Sequence, residues 1–389
     1  MDPDSLIFLK TLAAWATLGI AMPAVLYLTV LAFTACFPAR NIPRDDRRKR
    51  RFAVVIPAHN ESLLIAGTIK GALELNYPKD SFQIVVIADN CSDDTAQIAR
   101  ARGVRVVERA TDPGKGQALQ AVFTLLLEED WDGFLVMDAD TEIHPDSLQH
   151  LNDAMAQGAR ALQLYYGVLN PAESMRTAVM ELAFASINGL RPRGRRALGF
   201  SAGIFGNGFC LAREVLTRVP YDAHSIVEDV EYHLRLLEGG YKVRFLDRVW
   251  VKAQMPATAK DAKSQRIRWE RGRLGLIRSL LPRLMKRLFS GRLSALEALL
   301  DLLVPPVTQL VLLLLVPLAL GPNPFRLAAL AGVFLLGCHY ALAALRYGSP
   351  RRMCRIALYV PWYMVWKFFI LAGSLFRHKH LPWVRTKRH

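Results

Sequence analysis

Residues 302–320 and 327–345 contain no Asp, Glu, Lys or Arg, and each is long enough to cross a bilayer. Segments 11–36 and 356–376 are almost as apolar, whereas most of the acidic residues fall between them. A chain so divided cannot be one water-soluble domain. It reads as a membrane protein with a large polar insert. The first segment has no small-residue cleavage site after a short apolar core, so it is expected to stay as an anchor.

Charge supports that division. The net charge is +16, from 50 basic and 34 acidic residues. The cations flank the apolar segments instead of tiling residues 52–250, which argues against nucleic acid as a partner. The cluster at 40–51 follows the first span, marks its cytoplasmic side and suits anionic membrane lipids. Cys36, Cys91, Cys210, Cys338 and Cys354 have no metal-binding or disulfide spacing and fit a reducing compartment. The expected division is an anchor at 1–38, a basic linker at 39–51, a catalytic domain at 52–273, an amphipathic helix at 274–297 and a membrane region with a basic tail at 298–389. Segment 356–376 carries Pro361, Trp362, Tyr363, Trp366 and Lys367. It is expected to lie in the interface or to dip in and return, giving three full crossings and a cytoplasmic tail.

Within the insert, apolar runs alternate with helical patterns: strand 51–57, helix 61–75, strand 84–88, a short helix to 102, strand 104–107, helix 117–128 and strand 134–137. That rhythm predicts an α/β fold with a doubly wound, mostly parallel sheet. The strands end on chemistry. Asp89 closes the second, Asp112-Pro-Gly-Lys115-Gly116 follows the third, and Asp138-Ala139-Asp140 follows the fourth. Ligands bind past the carboxyl ends of such strands. Two carboxylates at i and i+2 of an extended chain point to opposite sides, and hard oxygen donors suit Mg²⁺ or Mn²⁺ shared with phosphates. Arg191 to Arg196 reads as a basic surface loop, and Gly203 to Leu211 as a strand that something approaches closely. Ile277, Leu280, Leu281, Leu284 and Leu288 share one helical face with four cations off it, the pattern of a helix in the membrane interface.

Five stations together resemble membrane-bound family 2 glycosyltransferases of GT-A (Rossmann-like) fold, the class of cellulose, chitin and hyaluronan synthases and ceramide glucosyltransferases. They are Ile56-Pro57-Ala58-His59-Asn60-Glu61, Asp89, Asp138-Ala139-Asp140, Glu228-Asp229 and Gln265-Arg266-Ile267-Arg268-Trp269. A departure is Val227, where the family has Thr before the acid pair.

The resemblance implies a role for each station. Asp89 accepts from uracil, and Pro57 and Glu61 shape that end of the pocket. Lys115 faces the diphosphate, Asp138 the ribose, and Asp140 binds Mg²⁺ or Mn²⁺. Asp229 is the general base, supported by Glu228. Arg268 and Trp269, with Gln265, close the site on the pyrophosphate and acceptor. Asn207, with Gly208 and Cys210, lies on the acceptor side. The implied enzyme is an inverting hexosyltransferase of the cell inner membrane with a cytoplasmic catalytic domain. It moves a hexose or N-acetylhexosamine from a UDP-sugar to a membrane-proximal acceptor, saccharide or lipid, in exopolysaccharide synthesis. The alternatives are a single addition to a lipid acceptor, a non-catalytic nucleotide-sugar-binding scaffold and, last, a nucleotidyltransferase.

Overall fold

The computed structural model describes residues 2–38, 41–225, 227–256, 277–291 and 293–359, with 272, 275, 362 and 363. Gln265, Arg268 and Trp269 lie outside the described residues, as do the basic tail and most of 356–376.

The first strands form where apolar runs predicted them. β1 (Phe52–Ala58), β2 (Phe82–Asp89), β3 (Arg105–Arg109) and β4 (Gly133–Val136) are mutually parallel, in the order β3-β2-β1-β4. Such strands are covered on both faces and need continuous apolar sequence. In β1, Phe52 to Ile56 are fully buried. The connecting helices are α2 (Ile65–Leu73), α3 (Thr95–Ala101) and α4 (Lys115–Leu126).

Beyond β4 the sheet becomes mixed. β5 (Thr141–Ile143), β6 (Ala161–Val168), β7 (Phe209–Ala212) and β8 (Val243–Ala253) complete the order β4-β7-β6-β8-β5. β7 runs antiparallel to both neighbours, and β5 antiparallel to β8. Around these strands lie α5 (Ser147–Ala156), α6 (Met175–Phe184), α7 (Arg191–Ala197), α8 (Arg213–Arg218) and α9 (Glu228–Glu238). A π-helical turn over Ala185–Leu190 joins α6 to α7.

The basic stretch 191–196 is thus helix, not surface loop. Arg193 and Arg195 are buried. Arg193 pairs with Asp247, and its Nε donates to the Ala35 carbonyl at 2.7 Å. Asp247 and the acids of Arg195 stand far away in sequence, so nothing local marked these cations as partnered. A buried charge needs such partners.

The N-terminal α1 (Pro3–Ala35) packs against α7 and, through Leu18, Val25 and Leu28, beside Leu310 and Leu314 of a later helix. At Gly194 an added Cβ would lie 2.2 Å from the Leu31 carbonyl oxygen, so only glycine lets α7 approach α1. Gly194→Ala is expected to lower stability by about 1–3 kcal/mol. Gly67→Ala, whose Cβ meets nothing within 4 Å, is the near-neutral control. Thermal unfolding in detergent measures both.

Residues 277–289 form α10. Its apolar face does not wait for lipid. Ile277, Leu280, Leu281 and Leu284 pack with Val230 and Leu234 of α9, and with Leu299 of α11 (Leu293–Leu303). Arg287 reaches Glu238 at 3.0 Å. The helix expected over 274–297 therefore ends near Ser290, and a new one begins at Leu293. Periodicity marks an apolar stripe but not what the stripe covers.

α1 and α13 (Asn323–Tyr347) are long and apolar enough to cross a membrane. The expected straight span at 302–320 is instead broken at Val304-Pro305-Pro306. The last part of α11 and α12 (Val307–Leu320) meet there at a bend of 71°, and they amount to a third crossing if taken as one span. Proline at 306 lacks the N–H that would continue the helix.

Candidate active site

The C-terminal ends of β1, β2 and β4 open into one cleft with the start of α9. Asn60 and Asn90 take positive φ (55° and 50°) just past β1 and β2, turning the chain back at each strand end. Asn60 Oδ1 accepts from Ser92 N at 2.7 Å, locking the two turns together. Pro57 is half-buried on β1, and Glu61 follows on a loop whose backbone N–H donates to Thr95 Oγ1 at 2.8 Å.

Asp89 is buried and well engaged. Oδ1 receives Arg109 Nη1 at 2.6 Å and Asn90 Nδ2 at 3.0 Å, and Oδ2 receives Gly114 N at 3.1 Å. A carboxylate offers about four acceptor positions. One therefore stays open, while the others hold the 112–114 loop to β2.

Asp138 and Asp140 lie on a turn between β4 and β5, not on extended chain. Tertiary hydrogen bonds replace the alternation that an extended chain would impose. Thr68 Oγ1 donates to the Ala139 carbonyl at 2.7 Å. Asn207 Oδ1 accepts from Asp138 N at 3.1 Å while its Nδ2 donates to Thr141 Oγ1 at 2.8 Å. Asn207, fully buried, thus clamps both ends of the acid turn.

Lys115 begins α4 and reaches across the cleft to Asp138, donating also to the Gly206 carbonyl at 2.6 Å. Burial disfavours its charge, but Asp138 and then Glu228 and Asp229 outweigh burial, and its pKa rises. Gly206 has φ 72°, and an added Cβ would stand 3.3 Å from Asp229 Oδ2. The stretch 203–208 is therefore approached closely, as expected, but it is irregular and the strand starts only at Phe209.

Glu228 and Asp229 open α9. Burial in the cleft, and then the neighbouring carboxylate, push Glu228 up to about 7. Burial likewise raises Asp229, against the Val230 N–H and Lys115, which favour its charge. Tyr166, on β6, was not anticipated. Its phenol faces Asn207 and lies close enough to Asp138 and Asp229 to feel both charges, while its ring packs edge-on against Phe184. The strand was readable, but its direction toward the cleft was not.

Among the described residues, no three His, Cys, Asp or Glu side chains stand ready to hold a metal ion. That suits a divalent ion which takes one or two carboxylates and completes its shell with substrate phosphates and water. The donor set at Asp138 and Asp140 fits such an ion.

The sheet and this strand-end cleft define a nucleotide-sugar transferase fold of GT-A type. The sequence model of the glycosyl transferase family group 2 matches residues 133–375, more than half of the chain, and the chain belongs to that family. A probable glycosyltransferase of Bacillus subtilis, YdaM, is 29% identical over 262 residues, covering 64% of this chain and 61% of that protein. A beta-monoglucosyldiacylglycerol synthase of Trichormus variabilis is 27% identical over 229 residues, covering 57% and 48%. The matched segment thus spans about half to three fifths of the length of these relatives. A mannosyltransferase of Pyrobaculum calidifontis, solved with GDP-Man and Mn²⁺, superimposes with a TM-score of 0.55 at 19% identity over 86% of this chain and 97% of its own. That likeness establishes the shared fold.

Proposed function

We propose that the chain transfers one hexose or N-acetylhexosamine, with inversion, from a UDP-sugar to a lipid acceptor at the cytoplasmic face of the inner membrane. The observation that carries this reading is the convergence of Asp138, Lys115 and Asp229 on the Gly206 carbonyl segment, in a chain whose other helices are long and apolar enough to cross a bilayer. Similarity to the beta-monoglucosyldiacylglycerol synthase of Trichormus variabilis supports a lipid acceptor. Growth of a saccharide in exopolysaccharide synthesis is the second reading, favoured by Gln265, Arg268 and Trp269.

In the proposed mechanism, the open lone pair of Asp89 takes a uracil N–H, with Pro57 and Glu61 lining that end. Lys115 has three ammonium protons, two of them engaged by Asp138 and Gly206. The third is free for the diphosphate. Asp138 faces the ribose, and Asp140 holds Mg²⁺ or Mn²⁺, which when bound offsets the charge growing on the departing diphosphate. Asp229, with Glu228 beside it, takes the proton of the acceptor hydroxyl. That oxygen bonds to the anomeric carbon as the carbon–phosphate-oxygen bond breaks, so an α-linked donor gives a β product and UDP leaves. Asn207 keeps the acid turn in place.

Membranes incubated with radiolabelled UDP- and GDP-sugars, followed by lipid extraction and product sizing, test this. A single labelled glycolipid is expected. A long polymer would replace the lipid reading with the saccharide one, and no incorporation from any donor would favour a scaffold.

The raised Glu228–Asp229 pair also sets a pH dependence. A base works only when ionised, so protonation of the pair below its raised pKa removes it. The rate constant kcat/KM is therefore expected to climb with pH above the ordinary carboxylate range and then level, since this ratio reports the free enzyme. A profile flat down to the ordinary carboxylate range would remove the pair from the mechanism.

A further inference from the structure

The mechanism makes no use of a buried charge cluster where α7 and α9 meet α1 and α11. Ser201 is its centre. The Ser201 N–H donates to Glu297, its carbonyl accepts from Arg195 Nε at 2.6 Å, and its Oγ accepts from Val243 N at 2.9 Å. The same Oγ stands 2.8 Å from His233 Nε2. Arg195 is fully buried and also meets Glu297, Asp301 and the Tyr27 hydroxyl, each at 3.2 Å. Arg191 reaches the same Asp301 oxygen at 2.5 Å.

Glu297 and Asp301 belong to the first half of the bent apolar helix pair, where ionised groups are costly and mark function. Replacing a buried ion cluster by apolar side chains is often neutral or stabilising, so stability alone does not account for this one.

Two routes lead from Ser201 to the acceptor side. Along the chain, Gly206 lies five residues on. Its carbonyl holds Lys115, a Cβ added to it would stand 3.3 Å from the Asp229 carboxylate, and Asn207 next to it holds the acid turn. Through space, His233 sits one helical turn after Asp229 on α9. The carboxylate and the wall opposite it both hang from one serine. An error of about 1 Å in such placement costs about a hundredfold in rate.

We propose that Glu297, together with Arg195, is a positioning pair for transfer: it fixes Ser201, and through Ser201 it places both α9 and the 201–207 segment so that Asp229 meets the acceptor hydroxyl. This rests on Asp229 being the base. The uracil end of the donor site, built on β1 to β3, shares no part of the cluster, whereas Lys115 and the acid turn are reached through Gly206 and Asn207.

The test uses the full chain in native membranes with the nucleotide sugar that gives the highest rate in the panel above. Glu297→Leu is expected to lower kcat about tenfold or more, with affinity for uridine, which engages the β1 to β3 end, within about twofold of the parent. Glu297→Gln keeps an acceptor for the Ser201 N–H and is expected to recover most of the rate. Ser201→Ala leaves the ion cluster intact but cuts the link to His233, and it is expected to show the same kcat loss. That second variant keeps the idea testable if Glu297→Leu fails to insert. On an Asp229→Asn background, Glu297→Leu is expected to cost nothing further, because no base is left to misplace. Parental kcat in folded Glu297→Leu or in Ser201→Ala, equal losses in uridine affinity and kcat, or full additivity with Asp229→Asn would each overturn the proposal. If Asp229→Asn alone keeps near-parental turnover, the base assignment falls instead.

Discussion

Asp140→Ala is expected to abolish sugar transfer and to erase the metal-dependent part of UDP binding, while the protein still folds and inserts. Asp140 is nearly buried at the end of the acid turn, where Thr141 Oγ1 lies 3.4 Å from Oδ1. The turn is held from outside, by Thr68 on the Ala139 carbonyl and by Asn207 on both flanks, so removing one carboxylate leaves its frame in place. What is lost is a hard oxygen donor beside the diphosphate. Charge neutralisation there is worth several kcal/mol, which translates to about 10³-fold or more in rate. Titration of UDP with and without Mn²⁺ separates the two effects. The parent is expected to bind more tightly with the ion and the variant equally in both conditions. A variant that keeps both metal-enhanced binding and near-normal turnover would take Asp140 out of the metal site.

The parts of the molecule that were legible in the sequence are those whose determinants are local. An apolar run that stops on an acid needs no distant partner to be read, and β1, β2 and β4 stand where Phe52, Ile84 and Phe134 pointed. β5 is only three residues long and exists because it pairs with the far half of β8, a contact more than 100 residues away in sequence. The arginines of 191–196 look solvated in isolation. Their acids, Asp247, Glu297 and Asp301, sit on a strand and on a helix that otherwise reads as membrane span. For the site, the acids were visible but their frame was not. Asp138 and Asp140 were readable as a pair, whereas the turn that aims them depends on Thr68 and Asn207. Tyr166 had no local signal to set it apart from its neighbour Tyr165.

The second large effect is expected at Asp229, on which the proposed chemistry depends. A sugar or lipid hydroxyl is a poor nucleophile near neutral pH, and a base within hydrogen-bond reach contributes about 10²–10⁴ in rate. Asp229 stands in the first turn of α9, with its Oδ1 accepting from Val230 N at 2.9 Å and its other oxygen against Gly206. The helix dipole and Lys115 favour its charge, while burial opposes it. Asparagine has the same size and can still accept from Val230, so Asp229→Asn preserves the packing against Gly206. It cannot take a proton. The variant is therefore expected to bind UDP and Mn²⁺ like the parent and to transfer sugar at least about a hundredfold more slowly. Single-turnover kinetics in membranes measure the chemical step apart from product release. Loss of UDP binding would make Asp229 a donor-side residue. Transfer within a few-fold of the parent would assign the proton to Glu228, the neighbour whose carboxyl is already held near neutrality.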